Sequence, residues 1–137
     1  MAKQTVNIGT ELDDENADSI RDSFDMCNDN FDDLYVVTEN NKTDSYTLVL
    51  SDANKLVTIT KADATTLTVP PNSSVAFPVG TMILVAQLGA GQVTITAGDG
   101  VTINSYDSAL KLVGQYASCS LTKLATDTWL CVGNLES

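Results

Sequence analysis

The sequence predicts a mainly β protein: a short N-terminal helix that forms a trimeric coil, followed by a small antiparallel β-sandwich or barrel. Three observations carry that reading. Apolar residues recur with a helical period over residues 18–35 and with a period of two from Tyr46 onward. The charge breaks at the same place. A polar stretch at residues 38–44 lies between the two and reads as a linker. The expected division is therefore an attachment and oligomerisation arm at residues 1–44 and a β domain at residues 45–137.

The helix comes first. Ile20, Phe24, Cys27, Phe31 and Leu34 are spaced 4, 3, 4 and 3 residues apart, an a/d seam. Asp18 or Ser19 can cap the start, and Asp22 stands three residues after Ser19 in a capping-box-like place. Two heptads are too short to stand alone in water. The seam is therefore expected to pack on its own β domain or, as an oligomerisation surface, on copies of itself, with three chains rather than two as the lean for so bulky a stripe. Asp18, Asp22, Asp25, Asp29 and Asp32 repeat the same spacing two residues out of step, as a neighbouring stripe of carboxylates. This stripe reads as a solvated face that keeps the helix soluble, or as a docking face for a basic partner.

The strands follow. Residues 46–50, 55–60, 66–69, 81–87, 92–96, 101–103, 118–124 and 128–132 are dense in β-branched residues. Val-Thr-Ile-Thr occurs at 57–60 and again at 93–96. Turn signals separate the segments, among them Gly98-Asp99-Gly100, read as a hairpin turn, and Thr126-Asp127. Short strands punctuated so often argue for an antiparallel sandwich or barrel. Trp129, the single tryptophan, is expected in the core or at a subunit interface.

Composition narrows function. The 137 residues carry 18 acids, 7 bases and no histidine, a net charge of −11. Ten of the acids fall between Glu11 and Tyr35, where Arg21 is the one base. An acidic chain repels phosphate backbones, so no nucleic-acid partner is expected. Without histidine there is no His-based acid–base chemistry and no His-ligated metal. No apolar run is long enough to span a bilayer, and the first residues lack the apolar stretch of a signal peptide. The chain holds no P-loop, no dinucleotide fingerprint, no nucleophile elbow and no Cys-x-x-Cys. No enzyme, metal or cofactor is expected. Cys27, Cys119 and Cys131 are too few and too widely spaced for a disulfide framework or a zinc site, so they read as free, mostly buried thiols of a reducing cytosol. Cys119 and Cys131 pair only if they face each other on neighbouring strands.

Two segments carry a resemblance. Val6-Asn7-Ile8-Gly9-Thr10, Asp13-Asp14, Asp18-Ser19-Ile20-Arg21-Asp22-Ser23-Phe24 and Asn28-Asp29-Asn30-Phe31 form the first. Thr68-Val69-Pro70-Pro71-Asn72-Ser73-Ser74, Gly89-Ala90-Gly91-Gln92-Val93-Thr94-Ile95, Lys111-Leu112-Val113-Gly114-Gln115-Tyr116 and Thr128-Trp129-Leu130-Cys131-Val132-Gly133 form the second. Together they resemble the structural proteins of tailed-bacteriophage virions, fibres and appendages. Glu15-Asn16-Ala17 departs from the Gly-rich loop usual there. The resemblance implies a homotrimer without catalytic residues. It implies a capsid decoration (cement) protein or head fibre that binds the major capsid protein on the outer capsid surface, assembled in the host bacterial cytoplasm. The alternative it leaves is a short tail-fibre or adaptor protein that binds a tail component or a cell-surface glycan. The acidic arm, with an extended lead at residues 4–9 able to add to a neighbouring sheet, is the expected attachment end.

Overall fold

The structure, a computed structural model, describes Thr5, Asn7 and residues 19–137. Asp18, the acidic residues 13–16 and the rest of the lead at 4–9 lie outside the described residues. The chain divides between Thr38 and Glu39 into two units. The first holds helix α1 (Ile20–Tyr35). The second is all β.

The second unit holds eleven strands: β1 (Glu39–Lys42), β2 (Tyr46–Thr47), β3 (Leu56–Ile59), β4 (Thr65–Val69), β5 (Met82–Gln87) and β6 (Val93–Ala97). They continue as β7 (Thr102–Ser105), β8 (Lys111–Leu112), β9 (Ser118–Ala125), β10 (Thr128–Gly133) and β11 (Leu135–Glu136). Six of them form one sheet in the order β1-β3-β5-β9-β10-β7, and five form another in the order β11-β8-β6-β4-β2. Val57, Ile59, Ile83, Val85, Leu121 and Trp129 of the first sheet share one dry core with Leu67, Val69, Val93, Ile95 and Leu112 of the second. Phe77 meets Trp129 edge-on, with ring centroids 5.5 Å apart. Trp129 is thus a core residue.

The fold is mainly β with one helix, as expected, but its sheets are mixed rather than antiparallel. β1–β3, β3–β5, β2–β4, β4–β6 and β7–β10 pair parallel. β5–β9, β9–β10, β6–β8 and β8–β11 pair antiparallel. The reason is the route of the chain. From β1 to β6 it alternates between the sheets at every strand. Parallel neighbours need a long crossover, and here that crossover is a strand of the opposite sheet. Leu56 pairs with Leu84 and Leu67 with Ile95, so the winding from β3 to β5 and from β4 to β6 advances by the same 28 residues in both sheets.

Stacking the windings brings backbone against backbone at the turns. Side chains on Gly89 or Gly91 would collide with the carbonyls of Lys61 and Asp63 in the winding beneath. The buried Gln87 ties the same turn: its Nε2 donates to the Gly89 carbonyl at 3.2 Å and its Oε1 accepts from the Val93 amide at 3.1 Å.

Other expectations need correction. Residues 38–44 are not a free linker, because β1 occupies 39–42 and pairs with β3. Gly98-Asp99-Gly100 is not a hairpin. It carries the chain from β6 in one sheet to β7 in the other, with Gly100 left-handed at φ 77°. Residues 46–50 form a strand only at 46–47, and Leu50–Asp52 turn into a 3-10 helix.

That turn is built on a buried carboxylate. Asp52 Oδ1 accepts from Asn40 Nδ2 at 2.5 Å. Its Oδ2 accepts from the Tyr46 hydroxyl and the Val49 amide, both at 2.9 Å. Burial, helped by the carboxylate beside it, pushes the Tyr46 phenol up to about 12. Lys123, also buried, donates to Asn72 Oδ1 at 2.5 Å and to the Phe77 carbonyl at 2.8 Å. Both charges serve the fold: each orders a loop against the core.

Candidate functional site

Helix α1 carries the residues singled out from sequence. Ser19 is its N-cap: the Asp22 amide donates to Ser19 Oγ at 3.1 Å, and Ser19 Oγ donates to Asp22 Oδ2 at 2.6 Å. Ile20, Phe24, Cys27, Phe31 and Leu34 then fall on one stripe along about 24 Å of helix. That stripe is exposed: Ile20 78%, Phe24 65%, Phe31 58% and Leu34 78%, with Cys27 exposed among them. Four large apolar side chains thus stand exposed in one row on one helix, an apolar stripe rather than singly scattered residues.

The acidic stripe needs a correction. A displacement of two residues is a rotation of about 200° around an α-helix. Asp22, Asp25, Asp29 and Asp32 therefore lie across the helix from the seam rather than beside it. Asp22, Asp25 and Asp32 are exposed and Asp29 is half-buried. The apolar face can thus close against another surface without bringing the carboxylates together. The last turn has no basic residue to oppose the helix dipole.

The β unit has a second apolar surface, which the sequence reading missed. On the outward side of the six-stranded sheet, Met82 and Leu84 of β5 and Leu130 and Val132 of β10 are exposed. Register sets Leu84, Ser120 and Val132 in one row and Met82, Thr122 and Leu130 in the next. Two apolar ridges therefore flank a trough of small hydroxyls over β9. The signal was present in residues 81–87, where apolar residues run on without alternation. Such a run marks a strand apolar on both faces.

Beside β10 lies a groove of about 540 Å³, lined by Tyr106, Asp107, Leu130, Val132, Leu135 and Glu136 among others. Tyr106 is 94% exposed. The two residues after it, Asp107 and Ser108, are left-handed at φ 55° and 56°.

No family model matches the chain, and no curated protein matches it. The chemistry of the site must be read from its own residues. Among the described residues, no cluster of three His, Cys, Asp or Glu side chains could hold a metal ion. No helix of the described residues is long and apolar enough to cross a membrane. What the described surface presents is apolar area arranged in rows, on a helix and on a sheet.

Proposed function

We propose that the chain is a non-catalytic structural protein of a tailed-bacteriophage virion. In this reading it is a homotrimeric decoration (cement) protein or head fibre on the outer capsid surface, assembled in the host cytoplasm. The observation that carries it is the exposed seam of Ile20, Phe24, Phe31 and Leu34 on a two-heptad helix. Such a helix is marginal alone and gains its stability from burial of that seam. Three copies about one axis bury it and leave the aspartate stripe facing outward. The resemblance of both segments to virion proteins supplies the setting. The carboxylate stripe is the face offered to the major capsid protein, and binding to the assembled shell alone stabilises that shell by mass action. Electron microscopy of labelled virions tests the reading. Label on the capsid surface is expected, and label confined to the tail, or none, overturns it.

One observation favours the second reading, a tail-fibre or adaptor protein. Tyr106 stands exposed at a groove that also holds Asp107 and Glu136. An aromatic face beside carboxylates can stack on and hydrogen-bond a sugar. A glycan array decides it: binding lost in Tyr106→Ala supports this reading, and no binding dismisses it.

A further inference from the structure

Resting on the homotrimer reading, we propose that the seam of α1 is covered by the same helix of the other copies, all running parallel and in register. With Phe24 and Phe31 at heptad position a, Ile20, Cys27 and Leu34 stand at d. The width of this apolar face selects the kind of surface that fits it. A helix packed on a sheet or in a broad groove carries apolar residues at e or g as well, whereas an a/d stripe alone is the narrower seam that meets another helix. Here the flanking positions are polar. Arg21 and Asn28 stand at e, and Ser23 and Asn30 at g. The seam therefore has the width of a helix–helix contact.

Charge selects which helix. Residues at e and g lie against the neighbouring helix and set partner choice. A helix that recruits a basic partner carries acids there. These four positions carry none, in a helix otherwise rich in aspartate. Asp22 and Asp29 stand at f, and Asp25 and Asp32 at b, away from the contact. An equally acidic helix can thus approach without setting carboxylate against carboxylate, and a second copy of α1 is such a helix. In parallel register, g of one copy lies beside e of the next. Ser23 then meets Asn28, two neutral side chains that can share a hydrogen bond.

Direction follows from symmetry. Three equivalent copies closed about one axis run the same way, because a reversed helix would have different surroundings from the other two. Each seam residue then forms a layer with its own counterparts. Cys27, the small member of the seam, lies between two layers of phenyl rings and leaves them room to interdigitate.

The test uses the full chain carrying Cys27→Ala, whose remaining thiols, Cys119 and Cys131, are buried. Ile20→Cys and Leu34→Cys are added separately, one at each end of the seam. Sedimentation velocity gives the mass of each variant, and a short bis-maleimide then links thiols that lie close together. Parallel helices should give covalent dimers from each variant on its own. Links formed only on mixing the two variants, or in neither case, overturn the proposal, while a trimeric mass leaves the homotrimer reading standing. A monomeric mass for the unaltered chain overturns both. Where one variant no longer trimerises, the other decides alone.

A second measurement tests the choice of partner. Ser23→Asp, Asn28→Asp sets like charges across the contact and should weaken the trimer by about tenfold or more. Asp25→Asn, Asp32→Asn, on the far face, should change it by about twofold at most. A trimer unweakened by the first pair would overturn the proposal as well.

Discussion

The two units of the chain treat apolar residues in opposite ways. The β unit, from Glu39 onward, hides Trp129, Leu67, Ile83, Ile95 and Leu121 almost completely, and even gives its buried carboxylate and amine hydrogen-bond partners. The helix leaves its large apolar residues outside. One unit has closed its own core, while the other keeps an apolar stripe exposed. On the proposed reading the contrast separates folding from assembly: damage to the core should unfold the β unit, whereas damage to the seam should leave the fold intact and abolish the proposed trimer.

The largest expected effect lies in the core. Trp129→Ala deletes a fully buried ring and its edge-on contact with Phe77, and should cost about 3–5 kcal/mol in urea unfolding. Asp52→Ala comes next. It removes the buried acceptor of the Tyr46 hydroxyl, the Asn40 amide and the Val49 amide, a loss of about 2 kcal/mol by the same measurement. A core that tolerated either change would blur the contrast, since the β unit would then lack a specific interior.

A smaller effect appears at high pH. The Tyr46 phenol is raised from 10 to about 12 by burial and by Asp52. The folded chain therefore holds this proton more tightly than the unfolded chain does. Its contribution is complete below pH 10 and is lost as pH rises through about 12. Thermal unfolding across that window should show a drop in Tm that Tyr46→Phe flattens. The smallest effect belongs to the helix cap. Ser19→Ala removes the acceptor for the Asp22 amide and should cost about 1 kcal/mol of helix stability. Far-UV circular dichroism should register that loss while the urea midpoint of the β unit stays fixed.

The two units also differ in how far they could be read from sequence. Helix α1 was legible to within two residues, because its cap and its 4-3-4-3 seam are local signals. The eight predicted β segments all contain a strand, because alternation of valine, isoleucine and threonine is local too. Their pairing was not legible. A strand looks the same in sequence whether its neighbour runs parallel or antiparallel, and short connections suggested hairpins. Here those connections cross between sheets, as from β3 to β4 and from β5 to β6.

Strand β1 was missed for a different reason. Glu39-Asn40-Asn41-Lys42 has no apolar alternation. Asn41 Nδ2 donates to Thr58 Oγ1 at 2.9 Å, Thr58 Oγ1 donates to Glu39 Oε1 at 2.7 Å, and Asn40 reaches Asp52. Side-chain hydrogen bonds to residues far along the chain hold that strand, and no local pattern encodes them. β8 and β11, at two residues each, are too short to carry a period.

Of the candidate surfaces, the helix seam was legible for the same reason as the helix itself. The sheet face needed the register, which sets Met82 and Leu84 across β9 from Leu130 and Val132. The groove needed the backbone twist at Asp107 and Ser108, which nothing in the local sequence announces.

Sedimentation velocity on the full chain beside the Phe24→Asp, Phe31→Asp double variant tests the division between folding and assembly most directly. The unaltered chain should sediment at three times its 14.5 kDa mass. The variant, with two charges driven into the apolar contact, should sediment as a monomer with an unchanged urea midpoint. An unaltered chain that is monomeric at micromolar concentration, or a variant that remains trimeric, would contradict the account.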